Sequence, residues 1–200
     1  MPLTPLRAAA LSISQQVAAT LGNLGHHQPH EQLYVFALVV SDDFATVCQA
    51  ANSESHFARS SGGAVARWQP AEWFATGMEL DVTPLMDRLG DPTYQRDPAL
   101  ARERPAKQAA WLAALVEGLE IARNKGHLTW GDQPLATFCT VQDSDLGPWL
   151  ARTSARLLNP PDLFPLIEAE LAEAWAGWDP PGDESAQVQE AFNALRADPH

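Results

Sequence analysis

Lysine is nearly missing from this 200-residue chain, with two residues against eleven arginines, and no stretch gathers its cations into a cluster. Nucleic-acid binders need concentrated positive charge to displace counterions from phosphates, so DNA or RNA is not an expected partner. Cysteine is equally scarce. Cys48 and Cys139 both stand in strand-like apolar runs, where a free thiol behaves as a small buried apolar group. That usage fits a reducing cytoplasm rather than a disulfide-stapled secreted scaffold. Long apolar runs are missing too: the longest, Leu33 to Val40, falls far short of the roughly 20 residues that span a bilayer. With no basic leader before an apolar stretch, the chain is expected to be soluble, unexported and away from membranes. No GxGxxG, GxxxxGK[ST], GxSxG or HExxH pattern occurs, so nucleotide binding, an elbow-borne serine nucleophile and a zincin centre have no support, and no cofactor is expected.

What is present is a 46% hydrophobic composition, enough for one substantial core at this length. The net charge is −12 and uneven, since residues 161–200 hold nine acids and one base. One α+β domain over residues 1–180 is expected, followed by an acidic linker and helix over 181–200. An acidic surface maintains solubility and also steers a protein toward basic partners.

Apolar residues at Leu6, Ala10, Ile13, Val17, Leu21 and Leu24 recur every three or four positions, which predicts an amphipathic first helix closed by Gly22 and Gly25. "LYVFALVV" is apolar almost throughout and rich in β-branched residues, as befits a strand covered on both faces. Ser41, Asp42 and Asp43 predict a turn, and "FATVCQAA" the returning strand of a hairpin over 33–51. A polar loop follows from Asn52 to Gly63, then a short helix opened by Pro70, with Trp68 and Trp73 flanking it. "DVTPLMDRLG" predicts a helix capped by Thr83, and residues 91–105 an exposed connection. From Pro105 the pattern predicts a long helix with Trp111, Leu115, Leu119 and Ala122 on one face and Gly126 at its C-terminal cap. A strand over 134–142 follows, then helices after Pro148 and across "DLFPLIEAELAEAWAGW". "DPPGDES" reads as a linker before a last helix with Val188, Phe192 and Leu195 on one stripe. The expected architecture is α+β, with a small, mainly antiparallel sheet packed by several helices.

Asp143, Ser144 and Asp145 follow a strand. Carboxylates at a strand's C-terminal end suit divalent cations, yet the same side chains also end strands and cap helices. Capping is the preferred reading, and a metal-dependent hydrolase or transferase using Asp143 and Asp145 is the alternative. His26, His27 and His30 are the densest imidazole cluster, but Pro29 breaks the helix that would align them, so no metal site is expected there. Seven tryptophans exceed ordinary usage. Trp68, Trp73, Trp175 and Trp178, with Glu72, are the candidate binding residues, because indoles bury much area while retaining a polar handle. Arg67 is expected to pair locally, with Glu72 the nearest acid.

The strand "YVFALVVSDD", the return ending "AAN", the "RWQPAEW" segment, the late strand leading into "DSD" and the "RLLNPP" stretch occur in one order between Leu33 and Pro161. Together they resemble an uncharacterised bacterial family, domain of unknown function 4303. The resemblance implies no activity and no catalytic residues. It implies company with small bacterial immunity and accessory proteins.

The functional expectation is therefore a non-catalytic cytoplasmic binding module, immunity-like toward a basic toxin. A homodimer through the C-terminal helix is a further expectation.

Overall fold

In a computed structural model of the chain, residues 3–60, 63–93, 101–178 and 182–197 are described. The fold is α+β. Helix α1 spans Pro5–His27 and starts where Thr4 accepts from the Arg7 amide, with Pro5 in the first turn. Its buried stripe is Ala9, Ala10, Ile13, Val17 and Leu21. The helix continues through Gly22 and Gly25 to His27, correcting the expected closure. Trp130 lies against Gly25, where a Cβ would sit 3.6 Å from the indole, and its Nε1 donates to the Glu31 carbonyl at 2.6 Å.

Strands β1 (Leu33–Val40) and β2 (Val47–Ser53) form the expected antiparallel hairpin. In its turn the Asp43 carboxylate accepts from Ser41 Oγ at 2.6 Å and the Ala45 amide at 3.0 Å. Phe44 belongs to this turn rather than to the strand, at φ 60°. The expected loop holds a short helix α2 (Glu54–Phe57), capped by Ser53. Then come α3 (Gly63–Trp68), a 3-10 turn at Pro70–Glu72 and an unanticipated strand β3 (Ala75–Glu79). Helix α4 (Thr83–Leu89) is capped by Asp81, whose carboxylate accepts from the Thr83 amide at 3.0 Å; Thr83 itself is the first helical residue. Of the expected connection, residues 94–100 lie outside the described residues.

Helix α5 (Arg104–Asn124) is the central element. Gly126 just beyond it has φ 76°, a left-handed conformation that glycine adopts without strain. A two-stranded ribbon, β4 (Thr129–Trp130) and β5 (Gln133–Pro134), precedes β6 (Ala136–Val141). The order β3-β2-β1-β6 makes a four-stranded sheet with β6 parallel to β1 and the other pairings antiparallel. Helices α6 (Leu146–Leu158), α7 (Phe164–Ala174) and α8 (Asp183–Ala197) complete the chain.

Alternation along β1 sorts the core into two layers. Phe36, Leu38 and Val40 pack with Ile13 of α1 and Leu112 and Leu115 of α5. Val35, Ala37 and Phe138 face Trp68, Trp73, Ile167 and Leu171 on the other side. The α1–α5 crossing is close because residue 118 has no side chain: a Cβ there would lie 2.6 Å from Ile13 Cβ.

Helix α6 covers the β6 edge. Ser154 Oγ accepts from the Cys139 amide at 2.8 Å. Asn159 accepts from the Thr137 amide at 2.8 Å and donates to the Thr137 carbonyl at 2.7 Å. The edge strand thus finds in side chains the partners that another strand would supply.

Candidate functional site

The second layer of the core gathers most of the sequence's candidate binding residues. Phe138 on β6 lies 6.2 Å from Trp68, 5.9 Å from Trp73 and 6.2 Å from Trp175, with the last two in edge-to-face arrangement. Such contacts place the positive ring edge against the negative face. Trp68 and Trp73 are buried, and their indole N–H groups find acceptors at Glu170 and the Arg67 carbonyl. Those two are core residues. Trp175 is half-buried and Trp178 is 41% exposed, and neither indole N–H has a protein acceptor among the described residues. The Glu72 side chain lies outside the described residues.

Arg67 ties this layer together through both ends of the residue. Its guanidinium carbon sits 4.4 Å from the Tyr34 ring centroid and 4.8 Å from that of Phe57. Its carbonyl accepts from Tyr34 Oη at 3.0 Å and from Trp73. Among the described residues its ion-pair partners are Glu54 at 3.1 Å and Glu170 at 3.2 Å, while the expected pairing with Glu72 falls on a side chain outside them. With two carboxylates already engaged, the guanidinium is a tie between α2, α3 and α7 rather than a substrate clamp. Burial pushes the Tyr34 phenol far above its ordinary range, and the Arg67 cation opposes that shift.

Of the three residues after β6, Ser144 bonds the start of α6 and Asp145 bonds residues at the start of α8. Asp143 is exposed, in the left-handed region at φ 50°. Ser144 Oγ accepts from the Leu146 amide at 3.2 Å, as expected of a helix start. The Asp145 carboxylate reaches across to α8, where it accepts from the Gly182 amide at 2.6 Å and from Ser185 Oγ. Partial burial pushes the Asp145 carboxyl up, but bonds from Ser185, Gly182, Leu146 and Ser144 outweigh it, leaving its pKa below the ordinary value. Close approach of α6 to β6 requires Gly147, since a Cβ there would lie 2.3 Å from the Val141 carbonyl oxygen.

No group of three or more His, Cys, Asp or Glu residues among those described could hold a metal ion. His26, His27 and His30 are exposed. The cysteines are unpaired; burial pushes the Cys139 thiol up to about 12 and, with Glu79 beside it, raises Cys48 as well.

Two polar networks had no sequence signal, because their members are distant in the chain. Arg123 donates to the Leu128 and Leu135 carbonyls, Thr137 Oγ1 and Asn159 Oδ1, and burial lowers its pKa. Ser55 donates to Glu31 and bonds Ser53, and hydrogen bonding from Ser53 and then Ser55 holds the Glu31 carboxyl below its usual pKa.

The outer face of α7 presents a different chemistry. Ile167, Leu171 and Ala174 turn inward, while Leu166 is 66% exposed and Ala169, Ala172 and Ala176 also lie on the surface. Exposed Asp162 and Glu173 have no cation partner among the described residues. Exposed Leu166, Ala169, Ala172 and Glu173 thus lie on α7, and exposed Trp178 follows four residues beyond its end.

A family model described as domain of unknown function (DUF4303) matches residues 13–160. No curated protein and no solved structure matches.

Proposed function

We propose, from the premise that the chain belongs to the DUF4303 family, that it is a non-catalytic protein-binding module, immunity-like toward a basic protein. The observation that carries this reading is the outer face of α7. Leu166 and Trp178 offer exposed apolar area, and the exposed carboxylates of Asp162 and Glu173, near them in the chain, have no cation partner among the described residues. Exposed apolar surface with a polar rim is a common mark of a recognition patch. The net charge of −12 would speed encounter with a basic partner.

The capping role of Asp145 supports a reading without metal chemistry, since both its oxygens already accept protein hydrogen bonds. The free thiols support a bacterial cytoplasm as the place of action.

The test is capture by the tagged full-length chain from lysate of its native host, beside a Leu166→Glu, Trp178→Ala variant. A basic protein should be retained stoichiometrically at moderate salt by the parent and lost by the variant. That protein should be toxic alone and harmless when co-expressed with the parent chain. An empty capture, or one indifferent to the α7 substitutions, would overturn the proposal.

A further inference from the structure

A second surface carries the opposite charge. A groove of about 1290 Å³ runs between the start of α1, the end of α4, one face of α5 and the end of α8. That volume exceeds the roughly 300–1,000 Å³ usual for small-ligand pockets. From α5 it takes Ala110, Ala113, Glu117 and Ile121, with Lys125 from the cap at its end, and these recur at helical spacing and form one stripe. At 1.5 Å rise per residue this stripe is about 22 Å long, the length of a helix of about 15 residues.

The groove's charge is inverted relative to the molecule. Its two acids are already neutralised, Glu117 by Arg7 and Glu120 by Arg196. Arg88 and Lys125 have no carboxylate partner among the described residues, so the groove has a surplus of two cations in a chain of net charge −12. These two cations stand at opposite ends. Trp111 donates to the Gly90 carbonyl at 2.9 Å, which fixes the end of α4, and Arg88 with it, near the start of the stripe. Lys125 closes the other end. The walls are apolar, with Leu6 and Leu89 inside, and Leu3 and Leu195 exposed by 59% and 39%.

We propose that this groove binds an acidic amphipathic helix of a partner protein. A single-headed anion with an apolar tail would engage one end only, whereas the separated cations match charges distributed along a helix. An apolar helical face would cover Leu3 and Leu195, and acids on its flanks would meet Arg88 and Lys125. The inference is independent of the α7 proposal, because the two surfaces differ in charge and in elements.

The test is selection of 15-residue peptides from a random display library on the full-length chain, followed by direct titration of the winners. Expected winners have apolar residues at i, i+3 or i+4 and i+7 with flanking Asp or Glu. Arg88→Glu with Lys125→Glu should weaken them about tenfold or more, while melting temperature is retained. Leu195→Glu should also weaken binding from the apolar side. No enrichment, enrichment of basic or unpatterned peptides, or affinity unmoved by the charge reversals would overturn the proposal. So would tight binding of a long-chain carboxylate with no peptide selected, which would assign the groove to an amphiphile.

Discussion

A side chain can occupy the place of a neighbouring strand when it offers both a donor and an acceptor at the right spacing, as Asn159 does at Thr137. Replacing Asn159 by Ala leaves a buried amide and carbonyl without those partners, and each unsatisfied group costs about 1–3 kcal/mol. Asn159→Ala should therefore lower unfolding free energy by about 3 kcal/mol in a urea titration, with Asn159→Asp less damaging because it retains the acceptor. Gly147→Ala is expected to cost about 2–3 kcal/mol by overpacking against the Val141 carbonyl. The thiols give a third expectation. With Cys139 fully buried and its pKa near 12, native protein at pH 8 should label at Cys48 alone, and both thiols should react only after denaturation.

Helix α8 is joined to the body by hydrogen bonds at its start, two ion pairs and a buried apolar face. Asp145 caps its start, Arg104–Glu184 and Arg196–Glu120 bridge it to α5, and Val188 and Phe192 are buried beneath it. Phe192 also meets Trp149 edge-to-face at 5.4 Å. The Asp145 carboxyl is held below its unfolded pKa, so its contribution is complete above that value and is lost as pH falls through the lower folded value. Protection factors for hydrogen exchange over residues 183–197 should fall as the solution is acidified below about pH 4, and Asp145→Asn should lower them already at pH 7. The same variant paired with Asp143→Ala should leave the response of the melting temperature to divalent ions unchanged, whereas a metal enzyme would lose stabilisation.

Which elements could be read from the chain follows from their physics. The periodic face of α5, the apolar β1 and the Gly126 cap are local signals and were legible. Strand β3 was not, since "ATGME" has neither alternation nor an apolar run, and pairing with β2 decides it. Gly22 and Gly25 read as stops, yet tertiary packing carries α1 past both. At the candidate site, Trp68, Trp73 and Trp175 converge as a group that the sequence nominated singly. The partners of Arg67 were illegible because Glu170 lies 103 positions away, and no local rule selects it.

At the scale of the whole molecule, the acidic surface and the cationic groove divide the protein into two electrostatic territories. Complex formation through the α7 face should weaken steeply between 50 and 300 mM salt, roughly as screening lengths shorten from about 14 to 6 Å. Truncation at residue 181 uncovers the seat of Val188 and Phe192 on α5. Each buried side chain of that kind contributes about 1.5–3 kcal/mol, so the truncated chain should melt earlier and self-associate more than the full chain, as light scattering would register.

The blocked margin of the sheet has a consequence for assembly. Strand β3 has no described strand on its outer side, while β6 is sealed by Ser154 and Asn159. Counted as a polymer chemist counts functional groups, the sheet is monovalent. Two copies joined through β3 would terminate one another, and a fibre, which needs divalent units, could not grow. Opening the β6 margin would turn a chain stopper into a monomer.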